Sequence, residues 1–273
     1  MVIYKQPLGE VIRQLSEQPM VIYEQPLNEK IRLFMRLELL VKRFQTHLVG
    51  QPSIEDTISA LHLLLELYNL SARIDLKSEV LKELERMAQT ARGFMRHEDE
   101  GFSQFAEVLE DLTRQSELLY QQQGQLGQHL KSHSFFNSLR QRMTLPGGIN
   151  SFDIPLFHYW QSQPLDARLA NLSDWAAPYI GVNAAASMVI GIVRQSAERR
   201  EEIGKAGFFN CNLEARKPYQ LIRIELPAHV EYYPEISAGK QRFSLRFMEA
   251  DWLLERGKQT PHDIPFTLLL CNF

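Results

Sequence analysis

Asn28-Glu-Lys-Ile-Arg32-Leu-Phe-Met-Arg36-Leu-Glu-Leu-Leu-Val-Lys-Arg43-Phe-Gln-Thr-His47 is apolar on nearly every side except one narrow strip of cations. At about 100° per residue, Arg36, Arg43 and His47 fall within roughly 60° of Arg32. Leu33, Leu37, Leu40, Phe44 and Leu48 form one apolar arc, and Ile31, Met35 and Leu39 form another. The spacing therefore predicts a helix buried on two flanks that presents a ridge of positive charge. Such a ridge is either a solvated face or a docking strip for a partner that carries carboxylates.

Outward from this helix the pattern stays helical to about residue 203. Ser53 with Asp56 three residues on has the form of a capping box, followed by Ile58, Leu61, Leu65 and Tyr68 at helical spacing. Further helices are predicted from Leu76, from Gly101 and from Phe135, with the glutamine-rich run 121–127 as a loop. Pro164 and Pro178 are placed to open two separate helices. After Gly207 the period becomes two: Ile222, Ile224 and Leu226 alternate with Arg223 and Glu225, and Phe243, Leu245 and Phe247 alternate with Arg242, Ser244 and Arg246. A last strand covers Phe266, Leu268 and Leu270, and Val21-Ile22-Tyr23 is short enough to need this sheet as its partner.

The expected fold class is α+β, an all-helical domain plus a smaller antiparallel β-sheet domain. Its expected boundaries are a strand at 20–25, a helical domain at 26–203 and an antiparallel β domain at 204–273. Residues 1–19 stand apart, because Met1-Val-Ile-Tyr-Lys-Gln-Pro-Leu-Gly-Glu-Val-Ile-Arg13 is echoed by Met20-Val-Ile-Tyr-Glu-Gln-Pro-Leu-Asn-Glu-Lys-Ile-Arg32. Asn28 caps a helix better than Gly9, so the second copy is expected to be structural. The first copy is expected to be poorly ordered or to add an edge strand.

Composition narrows the function. With 30 Lys and Arg against 33 Asp and Glu, the net charge of -3 opposes nonspecific nucleic-acid binding and makes any basic site local. Two cysteines without CxxC spacing fit a reducing cytoplasm, and the apolar run from Ala184 to Val193 is too short to span a bilayer by itself. No glycine-rich phosphate loop or nucleophile elbow is present. His129 and His133 have an i, i+4 spacing but lack the Glu of a zincin and an evident third ligand, so no metal or other cofactor is expected. Cys211 and His229 lack a surrounding that would organise nucleophilic catalysis.

The remaining candidates are cationic. Arg140 and Arg142 precede the Pro146-Gly147-Gly148 turn, and His158 follows it. Arg223, Arg242 and Arg246 are expected to share one polar sheet face, either solvated or paired with carboxylates. Trp160 and Trp175 are expected to anchor the core.

Three blocks occur in order: Tyr23–Arg32 with Arg36-Leu-Glu38; Arg140–Gly148 with Ser151-Phe-Asp-Ile-Pro155; and Tyr233–Ser237 with Arg242-Phe and Leu245–Met248. Together they resemble the ZapD family of bacterial division proteins. The resemblance implies a cytoplasmic, non-catalytic homodimer recruited to the division site at mid-cell, which binds the C-terminal tail of FtsZ and bundles its filaments to stabilise the Z-ring. It implies no nucleic-acid or membrane partner. The cations expected to meet the acidic tail are Arg32, Arg36, Arg43, Arg140, Arg142 and His158. The sheet arginines form a secondary basic face, which suits the alternative of a nucleic-acid-binding or other adaptor protein. Residues 1–19 and the segment from Trp252 to Pro265 fall outside the family pattern.

Overall fold

The computed structural model describes residues 19–95, 102–239, 241–252 and 257–273. The element order is β1 (Met20–Pro26), α1 (Glu29–Thr46), α2 (Ile54–Arg73), α3 (Leu76–Met95), α4 (Phe102–Gln121), α5 (Gln128–Lys131), α6 (Ser134–Met143), α7 (Pro155–Gln161) and α8 (Leu165–Gln195). Strands β2 (Ala197–Gly204), β3 (Phe208–Asn212), β4 (Tyr219–Pro227), β5 (Tyr232–Ala238), β6 (Arg242–Glu249) and β7 (Ile264–Asn272) complete the chain. The fold is α+β, with two compact units: residues 19–32 together with Ile192–Phe273, and Leu33–Gly191. The expectation for residues 1–19 lies, apart from Pro19, outside the described residues.

Local chemistry accounts for the helix starts. Asn28 Oδ1 accepts the Ile31 N–H at 2.8 Å, so a free donor of the first turn of α1 is satisfied. Ser53 and Asp56 form the reciprocal capping box of α2. Asp75 accepts from the Ser78 backbone at 3.1 Å and starts α3 in a similar way.

Within the helical unit, Leu33, Phe34, Leu37, Val41 and Phe44 of α1 are buried, as are Leu61, Leu64, Leu65 and Leu67 of α2. Phe135, Phe136, Trp160 and Trp175 meet ring to ring, with the Phe136 and Trp175 centroids 4.8 Å apart and edge to face. These tryptophans anchor the helical core. On α1, however, Leu39 is 46% exposed and Met35 only half-buried, so the expected second apolar flank is partly open.

Pro178 lies inside α8 instead of opening a new helix. It costs one helical hydrogen bond, but Tyr179, Val182, Ala186 and Val189 are fully buried and hold the helix through it. By length and composition α8 could cross a membrane; 44% of its apolar window is buried inside the protein, Tyr179, Val182, Ala186 and Val189 among it.

The other unit contains two antiparallel sheets, ordered β1-β4-β7-β2 and β3-β6-β5. Residues facing inward from both sheets form one core that includes Ile222, Ile224, Phe243, Leu245, Phe247, Phe266 and Leu268. Gly204 permits the close approach of Phe247, whose Cε2 would lie 2.6 Å from an added Cβ. Strand β2 corrects the helical expectation for residues up to 203. Its sequence, Ala-Glu-Arg-Arg-Glu-Glu-Ile-Gly, has little apolar alternation, and pairing with β7 rather than local pattern makes it a strand. A charged strand at a sheet edge also opposes edge-to-edge association.

An arginine-lined groove as the candidate functional site

Helices α1 and α2 enclose an open groove of about 400 Å³ lined by Arg36, Leu39, Leu40, Arg43, Glu66, Asn69, Leu70 and Arg73. Arg36 and Arg43 are seven residues apart on α1, about 10 Å of helical rise, and both are exposed. Arg73 joins them from the last turn of α2. None of these three arginines has an ion-pair partner among the described residues. Leu39, Leu40 and Leu70 supply an apolar floor, and Glu66 is the one carboxylate in the lining. The groove can therefore hold a segment that presents an aliphatic side chain between carboxylates.

The ridge read from the sequence is divided by the structure. Arg32 is half-buried; it donates to the Pro26 carbonyl at 3.4 Å and lies 3.5 Å from Glu29, in the sheet-bearing unit. His47 is 3.3 Å from Asp56, whose carboxyl is held below its ordinary range first by the Ser53 hydroxyl, then by the Ser53 backbone and His47. Only Arg36 and Arg43 face the groove. Arg73, Asn69 and Leu70 were not singled out from the sequence. Their signal was the spacing of Glu66, Asn69, Leu70 and Arg73, which repeats one helical face opposite the buried one.

Arg140 does not join this groove. It lines a separate cavity of about 230 Å³ with Tyr68, Ser71, Ala72, Gln125, Gly127 and Lys131. Its guanidinium lies 5.4 Å from the Tyr68 ring centroid and donates to the Tyr68 hydroxyl at 3.2 Å. Tyr68, Ser71 and Ala72 point from a different side of α2 than Glu66, Asn69 and Arg73, about 140° around its axis on average. Two positive sites thus occupy different faces of one helix. Gly127 helps form the second with φ of +80°, where a Cβ would come within 2.7 Å of the Tyr179 hydroxyl. Burial, only partly offset by a hydrogen bond with Ser71, pushes that tyrosine up to about 12. Arg142 is half-buried in the last turn of α6, and His158 is exposed on α7 next to exposed Tyr159.

The secondary basic face is corrected as well. Arg223 belongs to the four-stranded sheet and Arg242 and Arg246 to the other, so the three do not share a face. Arg223 Nε donates to Glu24 at 2.9 Å, while Arg242 and Arg246 are exposed. His129 and His133 do not share a helical face either, because α5 ends at Lys131 and His133 stands at the N-cap position of α6, without a side-chain capping bond. His129 meets the Trp175 carbonyl at 3.0 Å, and His133 packs against Phe136 and Trp175. Among the described residues no group of three His, Cys, Asp or Glu could hold a metal ion.

A family model described as ZapD, cell division protein, matches residues 35–246, a span that contains the whole groove and the second cavity. A protein of Janthinobacterium sp. (strain Marseille) described as cell division protein ZapD is 35% identical over 273 residues, covering all of both chains. One of Methylococcus capsulatus with the same description is 34% identical over 270 residues, 99% of this chain and 98% of its own. The family model stops short of the duplicated start, whereas the alignment with the first relative runs through it. With its helices, its two sheets and its arginine-lined groove, the chain belongs to the ZapD family of cell division proteins.

Proposed function

We propose that this cell division protein acts by holding FtsZ through the acidic C-terminal tail of that polymer, cross-linking filaments and stabilising the Z-ring. The observation that carries this proposal is the groove between α1 and α2, where Arg36, Arg43 and Arg73 surround Leu39, Leu40 and Leu70 without an internal ion-pair partner among the described residues. A tail that combines carboxylates with aliphatic side chains matches both features. Binding would be electrostatically steered, weak per site and sensitive to salt. Arg140, Arg142 and His158 would act as outlying cations, with Arg140 on the far side of α2.

Bundling requires two tails to be held at once, so the acting form is a homodimer with one groove on each protomer. Repetition of tails along a filament then converts modest affinity into avidity. The protein works in the cytoplasm, gathered at mid-cell by its partner, and performs no covalent chemistry. Nucleic-acid binding by the sheet arginines has less support, since Glu24 occupies Arg223. The test is titration of a labelled FtsZ tail peptide together with pelleting of FtsZ polymer. Affinity should fall steeply with salt, and pelleting should vanish when the tail is deleted. Equal bundling of tailless FtsZ would reject the proposal.

A further inference from the structure

Residues 1–13 and 20–32 are two versions of one sequence segment. They differ at three positions, Lys5 against Glu24, Gly9 against Asn28 and Val11 against Lys30. The described sheet uses the second version: Met20–Pro26 pairs antiparallel with β4, with Tyr23 opposite Ile224 and Glu24 opposite Arg223. Over these seven strand residues the first copy offers the same side chains in the same order, except at Lys5. Backbone ladders and apolar contacts therefore cannot discriminate between the copies. The choice must come from the one strand position that differs and from the residues on the C-terminal side of the strand.

That position carries a charge cluster of one carboxylate and two guanidinium groups. Arg194 embraces Glu24 with two parallel bonds, Nε to Oε1 and Nη2 to Oε2, both 2.8 Å. Arg223 Nε adds a third bond to Oε1 at 2.9 Å. All three side chains are largely withdrawn from solvent, with Glu24 and Arg223 each 17% exposed. Burial pushes the Glu24 carboxyl up, but the bonds and charges of the two arginines outweigh it and hold the group below its ordinary value.

We propose that Glu24 decides which of the two copies forms the strand paired with β4. Its carboxylate neutralises Arg194 and Arg223, whereas Lys5 in the same register would set a third cation against them. Removing the acid from such a triad leaves guanidinium groups uncompensated in a partly desolvated place. Asn28 biases the choice in the same direction, since it caps α1 and Gly9 has no side chain to do so. The choice has consequences beyond the sheet. With the second copy in place only Leu27 and Asn28 separate strand from α1, whereas use of the first would put residues 8–28 between them. A single acid thus keeps a duplicated start from introducing a long loop before the helix that carries Arg36 and Arg43.

The test is a charge exchange in the full-length chain. Glu24→Lys should lower the melting temperature by about 5–10 °C. Adding Lys5→Glu should restore at least half of that loss and, in the same double variant, abolish the hydrogen-exchange protection of amides 21–26. Failure of Lys5→Glu to restore stability overturns the proposal. Recovery with amides 21–26 still protected overturns it equally, because the acid would then act from elsewhere. Should Glu24→Lys not fold, the same comparison is made with Glu24→Gln, with and without Lys5→Glu.

Discussion

Arginine serves two opposite purposes in this molecule. Around Glu24, Arg194 and Arg223 are saturated by one carboxylate and withdrawn from water. Between α1 and α2, Arg36, Arg43 and Arg73 stand beside exposed and half-buried leucines, and Glu66, the one carboxylate of that lining, makes no salt bridge with them. A cation whose counterion is built into the fold contributes to stability and specificity of pairing. One left open over apolar surface stabilises the fold little and is available to an outside carboxylate. The difference separates residues expected to hold the fold from residues proposed to meet a partner.

That contrast is most easily broken at Glu24. Glu24→Lys should cost about 3–5 kcal/mol in denaturant unfolding, as expected for removing one member of a withdrawn ion cluster, while an equally folded sample retains its tail affinity. A loss below about 1 kcal/mol would place the cluster among ordinary surface pairs. Acid provides a second measure of the same contact. Because the Glu24 carboxyl is depressed in the folded state, its contribution is complete above its ordinary value of 4.5 and is lost as pH falls through the lower folded value. The stability gap between the wild type and Glu24→Gln should therefore narrow as pH drops below about 4.5, and a gap that widens there would contradict the assigned sign.

The groove should respond in the opposite way. Arg36→Glu combined with Arg73→Glu should weaken tail binding by about 10- to 100-fold, roughly 1.4–2.7 kcal/mol, with thermal stability changed by less than about 0.5 kcal/mol. A large stability loss would make these arginines structural. Leu70→Ser should weaken binding by only about 3- to 10-fold, since it removes part of the apolar floor and leaves the charges in place. The smallest effect is expected from Arg242→Ala and Arg246→Ala, which should leave tail affinity within about two-fold by the same titration.

Much of the architecture could be read along the chain because local signals agreed with tertiary need. The Asn28 cap, the Ser53 and Asp56 capping box, and the alternation at 222–226 and 243–247 each specify an element within a few residues. Two errors arose where a partner overrode local pattern. Residues 197–204 are too charged to signal a strand, yet β7 supplies their ladder, and Pro178 is carried inside α8 by the burial of its neighbours. The candidate site was half legible. Helical spacing placed Arg36 and Arg43 on one face, but only folding brings Arg73 from another helix beside them, turns Arg140 to the far side of α2 and closes Arg223 with Glu24.

By itself, then, the sequence determined the periodicities, the caps, the repeated start and the local clustering of cations on α1, because these depend on neighbours within a few positions. Which cations keep a free guanidinium was decided only by the tertiary structure. Pairing depends on groups 170 and 199 residues away from Glu24, and no local pattern encodes that separation.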